Sequence, residues 1–332
     1  MSHSFSRRRF IGITAAAAGL GLLPVDREAK AEAELVEWQG QVMGAMASLR
    51  IHHHDRPAAN RLIERSVAEM RRFERIFSLY REDSALCTLN RTGMLVAPPA
   101  ELVELLSECR RFADLTGGAF DPTVQALWTL YRDHFAKPGA APKGPSESSI
   151  QAALERVSFD TVLFDRNRIV LSRPGMALTL NGIAQGYATD RVVSLLRQEG
   201  IGNSLVDMGE SRAVGSRPDG APWRIGIADP DQPERIGETL EVADQAVATS
   251  GSYGFRFDSA GRFNHLFDPR SGTSTHLHKS ATVAMPTATA ADALSTAFSL
   301  LPVAEISDIL RRIGVGRVSL ITSAGEKHSL AA

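Results

Sequence analysis

The sequence predicts an α+β fold, and three observations carry the prediction. Strand-like and helix-like stretches are mixed without a strict βαβ repeat. The G-x-G triplets, Gly19-Leu20-Gly21 in an N-terminal apolar run, Gly200-Ile201-Gly202 and Gly314-Val315-Gly316, do not continue as G-x-G-x-x-G, so there is no dinucleotide-binding βαβ fingerprint. The composition, 43 % hydrophobic with a formal net charge of −1 over 332 residues, suits a soluble globular core in two domains or one large one. The near-neutral balance, without a basic stripe, argues against nucleic acid or an electrostatic membrane partner.

Residues 1–31 read as a signal peptide rather than as part of the fold. Ser6-Arg7-Arg8-Arg9-Phe10 is a basic run, Ile11 to Leu23 is apolar, and Ala29-Lys30-Ala31 is a small-residue cleavage site. The Arg pair before Phe10 resembles the twin-arginine type, which sends folded proteins to the periplasm. The apolar run is too short to span a bilayer. Cleavage takes five Lys/Arg from 37 and two Asp/Glu from 38, leaving 32 and 36 and a net −4. The mature domain, 32–332, is expected to be soluble. Its two cysteines, Cys87 in an apparent loop and Cys109 in a helix, either pair or stay as free thiols.

The elements follow in order. Leu35 to Ile51 reads as two strands around a Gly44 turn, with alternation through Met46–Ile51. Ala58 to Phe77 has helical periodicity. Pro98-Pro99 opens a second helix that Gly117-Gly118 ends. Residues 137–149, rich in Pro, Gly, Ser and Ala, suggest a flexible excursion. A helix at 150–157 and strands near 162–164 and 168–172 come next. Tyr187 to Glu199 forms an amphipathic helix closed by Gly200. Short strands near 204–207, 224–228 and 246–249, helices at 288–300 and 303–313, and a strand at 317–322 complete the chain.

G-x-S-x-G, H-E-x-x-H and the Walker A pattern are absent, which removes the simplest hydrolase, zincin and NTPase readings. His52-His53-His54 reads as a solvated strand end, because neighbouring strand residues face opposite ways and cannot converge on one ion.

Five segments place glycines and small polar residues where backbone can approach a ligand: 117–123, 179–187, 248–253, 265–272 and 287–296. Each alone reads as a turn or a helix cap. Together they suggest a phosphate site. The glycine-containing loop ahead of the Tyr187 helix offers N–H groups and a positive dipole end. Asp292 and Thr296, at i and i+4, project hard oxygens from one helix face, a set suited to Mg²⁺. His265 can take a proton from an attacking hydroxyl near neutral pH. A metal edge beside a phosphate cradle is what cleaving a pyrophosphate requires.

In this order the segments resemble the ApbE family of FAD:protein FMN transferases. The likeness runs from Met43-Gly44 to about Leu300. It is carried by Gly-Ala-Phe-Asp-Pro-Thr-Val at 118–124, Ala-Thr-Ser-Gly at 248–251, His-Leu-Phe-Asp-Pro-Arg-Ser-Gly at 265–272 and Ala-Asp-Ala-Leu-Ser-Thr-Ala at 291–297. The resemblance implies two packed mixed sub-domains with FAD in the cleft between them. It implies Mg²⁺-dependent transfer of FMN from FAD to a Thr or Ser hydroxyl of an acceptor flavoprotein, with release of AMP. By position, Met43, Tyr80, Ala119, Phe120, Asp121, Thr179, Gln185 and Leu266 are implied to line the FAD site. Asp292 and Thr296, with a backbone carbonyl near Gly182, are implied to hold the metal, and His265 to act as base beside the catalytic Asp292.

Three positions depart from the family pattern. Thr179 stands for a usual Asp, and Gln185 for a usual Lys or Glu. Asp207-Met208-Gly209-Glu210-Ser211 replaces a segment with two adjacent glycines. With the twin-arginine signal, this variant pattern resembles the branch serving nitrous-oxide-reductase maturation, whose acceptor is a membrane-bound flavoprotein regulator. The alternatives are an FAD pyrophosphatase giving FMN and AMP, or a non-catalytic FAD-binding accessory protein. Retention of His265, Asp292 and Thr296 argues against the latter.

Overall fold

The structure, a computed structural model, describes residues 33–332; the expected signal segment lies outside the described residues. β1 (Glu34–Val42) and β2 (Ala45–His53) form an antiparallel hairpin. Its two-residue turn, Met43 and Gly44, has φ of 48° and 79°, the handedness that matches strand twist. α1 (Arg56–Phe77) starts where the Asp55 carboxylate accepts the Ala58 N–H at 3.0 Å, and buries a stripe including Leu62, Met70 and Phe73.

α2 (Ala85–Thr92), capped by Ser84, and β3 (Met94–Val96) were not expected, and Cys87 therefore sits in a helix rather than a loop. The helix is one of eight residues with few apolar positions, too short for periodicity to reveal. α3 (Ala100–Leu115) carries Cys109, and both cysteines are free thiols. A 3₁₀ turn at Pro122–Val124 runs straight into α4 (Gln125–Phe135). Before α5 (Glu147–Leu154), the Pro- and Gly-rich segment lies against its neighbours. Arg262 donates to Pro142 O at 2.5 Å, and the Gly144 Cα is flush against the Phe263 ring.

β4 (Val162–Phe164) and β5 (Arg168–Leu171) join β3 in a small antiparallel sheet, order β3-β5-β4. α6 (Ala184–Gln198), β6 (Ser204–Asp207), β7 (Ser211–Val214), β8 (Trp223–Ala228), β9 (Ile236–Val242), β10 (Ala246–Gly251) and β11 (His278–Met285) follow. α7 (Ala288–Phe298), α8 (Val303–Ile313), β12 (Arg317–Thr322) and β13 (Lys327–Ala331) close the chain. β1-β2-β6-β7-β10-β11-β12-β13 make one eight-stranded antiparallel sheet, while β8 and β9 pair as a separate ribbon.

Period-two alternation gives the large sheet two apolar faces. Val206, Ala248, Val283 and Met285 join the main core with α1, α3, α6 and α7. Their neighbours Leu205, Ala213, Val247 and Ala284 face the other way, into a second cluster with Trp223 and Ile225 of the β8–β9 ribbon. A third cluster, built on Leu127, Tyr131 and Phe267, holds the loop between β10 and β11 against α4 and α5. This is an α+β architecture, as expected. No helix of the described residues is long and apolar enough to cross a membrane.

Candidate active site

The first turns of α6 and α7 meet, and each is completed by an aspartate of the other. Asp292, in the second turn of α7, accepts the Gly186 N–H at 3.0 Å. Asp190, on α6, accepts the N–H groups of Ala288 and Thr289 at 2.8 and 2.9 Å and the Thr289 hydroxyl at 2.6 Å. Asp190 also pairs with Arg212 of β7, whose side chain is buried while that of Asp190 is half-buried. The two helices approach closely because Gly186 lacks a side chain. A Cβ there would stand 2.3 Å from the Ala288 carbonyl oxygen.

This exchange of caps narrows the phosphate cradle expected ahead of α6. The N–H groups of Ile183 and Ala184 donate back to Leu180 O, and that of Gly186 is taken by Asp292. The reason is Asp292 itself, which occupies the positive end of α6. Neither Asp190 nor Arg212 stood out in the sequence. Their partners lie 98 and 22 residues away, a separation that no local pattern reports.

Asp292 and Thr296 share a face, and Gly182 lies against Thr296: a Cβ on Gly182 would be 2.7 Å from the Thr296 hydroxyl oxygen. Ser250 of β10 bonds Ser295 at 2.8 Å and reaches Thr296 Oγ1 at 3.4 Å. The three expected metal positions are thus brought together. Asp292 is 4 % exposed and has one protein hydrogen bond. Burial pushes its carboxyl up to about 7, with Asp190 adding to the effect and the Gly186 N–H opposing it. No basic side chain offsets that charge, so a cation suits the site. Among the described residues no group of three or more His, Cys, Asp or Glu could hold a metal, the histidines at 52–54 included. The candidate oxygens are therefore the Asp292 carboxylate, the Thr296 hydroxyl and the Gly182 carbonyl.

His265 sits in the loop fastened by the third cluster. Its Nδ1 meets Phe255 O at 3.3 Å, which fixes Nδ1 as the donor and leaves Nε2 as the basic atom. Burial lowers the imidazole below its ordinary range, so it is neutral near pH 7. Leu266, 6 % exposed, is held by its N–H to the buried Asn264 side chain at 2.9 Å.

The remaining positions are in different states. Met43 is the hairpin turn, half-buried against the main core. Tyr80 keeps 55 % of its surface exposed, and its hydroxyl bonds Asn181 beside Gly182. Ala119 and Phe120 are buried; the Phe120 ring packs edge-on to Phe112, and its N–H donates to Thr116. Asp121 caps the 3₁₀ turn at the Thr123 N–H (2.7 Å) and accepts Phe159 N–H at 3.1 Å. Thr179 donates its N–H to Pro122 O at 2.8 Å, joining that corner to the Gly182 segment. Asn90, absent from the sequence reading, clamps the same segment by two bonds to the Leu178 backbone. Gln185 lays its amide across Gly209.

The chain matches the ApbE family over residues 43–318. It is 28 % identical over 303 residues to an Escherichia coli FAD:protein FMN transferase, covering 88 % of this chain and 86 % of that one. It is 30 % identical to the Treponema pallidum FAD:protein FMN transferase, covering 81 % and 80 %. The crystal structure of the ApbE protein of Thermotoga maritima superposes with a TM-score of 0.77 at 29 % identity, covering 90 % of this chain and 97 % of that one.

Proposed function

The chain belongs to the ApbE family, and on that premise we propose that it is an FAD:protein FMN transferase, Mg²⁺-dependent, acting on a Thr or Ser hydroxyl and releasing AMP. The observation that carries this reading is the junction of α6 and α7. It sets a buried carboxylate without a counter-cation beside a hydroxyl and a backbone segment, and His265, held by Phe255 O at Nδ1, offers Nε2 as the base of the reading.

Asp292, Thr296 and the Gly182 carbonyl would hold Mg²⁺, which supplies charge neutralisation to the pyrophosphate when bound. Tyr80, with 55 % of its surface exposed, would supply an aromatic ring for stacking. Met43, Ala119, Phe120, Asp121, Thr179, Gln185 and Leu266 complete the FAD surface. The acceptor hydroxyl oxygen bonds to the flavin-side phosphorus, and the bond from that phosphorus to the bridging oxygen breaks. AMP leaves with the electron pair, and the hydroxyl proton passes to His265 Nε2. The acceptor is an exported flavoprotein met in the periplasm after twin-arginine export. The variant segments at 179, 185 and 207–211 favour a membrane-bound regulator of nitrous oxide reduction.

Residues 32–332 mixed with FAD, Mg²⁺ and an acceptor domain carrying a candidate Thr test the reading. The expected result is a flavin adduct by intact mass, with matching AMP, abolished by EDTA. AMP and FMN without an adduct would make the protein a pyrophosphatase towards that mixture. Bound but unchanged FAD would overturn the enzyme.

A further inference from the structure

The loop between β10 and β11 folds back on itself into a short hairpin, and His265 stands at its inner end. The His265 N–H donates to Phe255 O at 3.2 Å, Arg256 bridges Asn264, and the Phe257 N–H donates to Phe263 O at 2.8 Å. A turn at Asp258–Gly261 closes the outer end, with the Gly261 N–H reaching Asp258 O at 3.2 Å. Rings fasten this arm to α4. The Tyr131 ring packs on Phe257, Phe263 and Phe267 with centroids 6.0, 5.5 and 4.9 Å apart. Charges carried on an arm fixed in this way are set in place before any partner arrives.

Those charges are mostly positive. Asp258 is the one carboxylate of the tip, and it accepts Arg262 Nε at 3.3 Å and the Phe263 N–H at 3.0 Å. Arg256 is exposed and lies across Gly261, where a Cβ would stand 3.2 Å from its Cδ and Nη1. No acid pairs with it among the described residues. The Pro- and Gly-rich segment before α5 brings a third cation to the same place. Pro142 O accepts from Arg262 at 2.5 Å and Gly144 packs on the Phe263 ring, so Lys143 between them is set beside the tip. Lys143 is exposed and, among the described residues, bonds no acid, the nearby Glu147 included. Three cations thus share one carboxylate, a surplus that attracts anionic groups.

The hairpin pairing puts Arg256 one residue and Arg262 three residues from the His265 end, within roughly 10 Å along the strands. Of the FAD positions only Leu266 lies in this loop, at its buried base. An acceptor hydroxyl that gives its proton to His265 Nε2 brings its flanking residues alongside the arm. We propose that the hairpin from Phe255 to His265 is a docking arm for the acceptor protein, whose modified Thr or Ser lies beside Asp or Glu residues that meet Arg256 and Lys143. The proposal rests on the transferase reading given above, with His265 as its base. Exposed pairs of this kind act on encounter and acceptor affinity more than on the chemical step.

The test is steady-state transfer to an acceptor domain that forms the flavin adduct, with the parent, Arg256→Glu and Lys143→Glu. Each charge reversal is expected to raise the KM for the acceptor about tenfold and to flatten the fall of kcat/KM with added NaCl. The dissociation constant for FAD, read by flavin fluorescence, should stay that of the parent. Acceptor with Lys in place of its acidic flanking residues should be poor for the parent and restored with Arg256→Glu. An acceptor KM unchanged in both variants overturns the proposal, as does a modified residue with no Asp or Glu beside it. So does weaker FAD binding in the variants, which would place the FAD phosphates on the arm. A loss confined to kcat in Arg256→Glu, with Lys143→Glu like the parent, also overturns it and makes Arg256 a support for His265. A parent that forms no adduct on any acceptor ends the transferase reading and the docking arm with it. An adduct that forms equally well in both variants ends the docking arm alone.

Discussion

Asp121, half-buried, and Asp292, buried, are both carboxylates beside the first turn of a helix, and both stand in segments that match the ApbE family. Around Asp121 the fold uses both oxygens: Thr123 takes one and the Phe159 N–H the other. Around Asp292 it uses one, at Gly186, and leaves the rest without a donor or a cation. Residue type therefore says less about chemistry than the hydrogen-bond account does. A carboxylate that the backbone has satisfied is holding the corner together, whereas one left short is available to a ligand.

The sharpest way to break this contrast is Asp292→Ala. Transfer should fall by about 4 kcal/mol of transition-state stabilisation, on the order of 10³-fold in kcat/KM. Urea unfolding of the same metal-free variant should change little, because a buried charge is removed along with one bond. Asp190→Ala should behave in the opposite way. Loss of the α7 cap and of the Arg212 partner costs about 3 kcal/mol of folding stability, measured by urea. Unchanged stability with lost activity would instead put Asp190 against substrate.

His265→Gln sharpens the contrast on the other side of the site, with an expected loss of about 10²-fold in kcat. The pH profile carries the sign. The base works unprotonated, and burial lowers its pKa, so kcat should hold its plateau through the ordinary histidine range and decline only below it. A decline beginning at or above that range would show that His265 is not the buried neutral base. The smallest effect belongs to Asp121→Asn, about 1–2 kcal/mol of stability with kcat kept at saturating FAD. A kcat loss as large as that of Asp292→Ala would erase the distinction between the two aspartates.

The long elements were legible where one face is apolar and the other polar. α1, α3 and α6 follow their periodicity, and the β1–β2 hairpin its Gly44 turn. β11 was not legible, because His278–Met285 is a run of mostly small side chains buried on both faces, with no alternation to read. α4 was hidden by starting directly from a 3₁₀ turn without a side-chain cap. β7, β9 and β13 are short or exposed strands whose pairing comes from distant partners. At the site, the i, i+4 spacing put Asp292 and Thr296 on one helix face, whereas Gly182, which lies against Thr296, came from the family resemblance alone. The sequence could not show that Asp292 would take the amide on which a phosphate cradle was expected. Nor could it show that Asp190 and Arg212 hold the junction, because those contacts depend on which helices pack together.

The exchanged caps at the α6–α7 junction also bear on how this site can change over descent. Each helix opening is finished by a side chain of the other, so a substitution at 190 or 292 alters both at once. Effects of the two should not add, since residues within one bonded network couple by about 0.5–3 kcal/mol. A lineage that loses one partner first meets a misaligned junction, which lowers the cost of losing the other. The two positions are thus expected to drift as a linked pair, each constrained by a residue about a hundred places away in the chain.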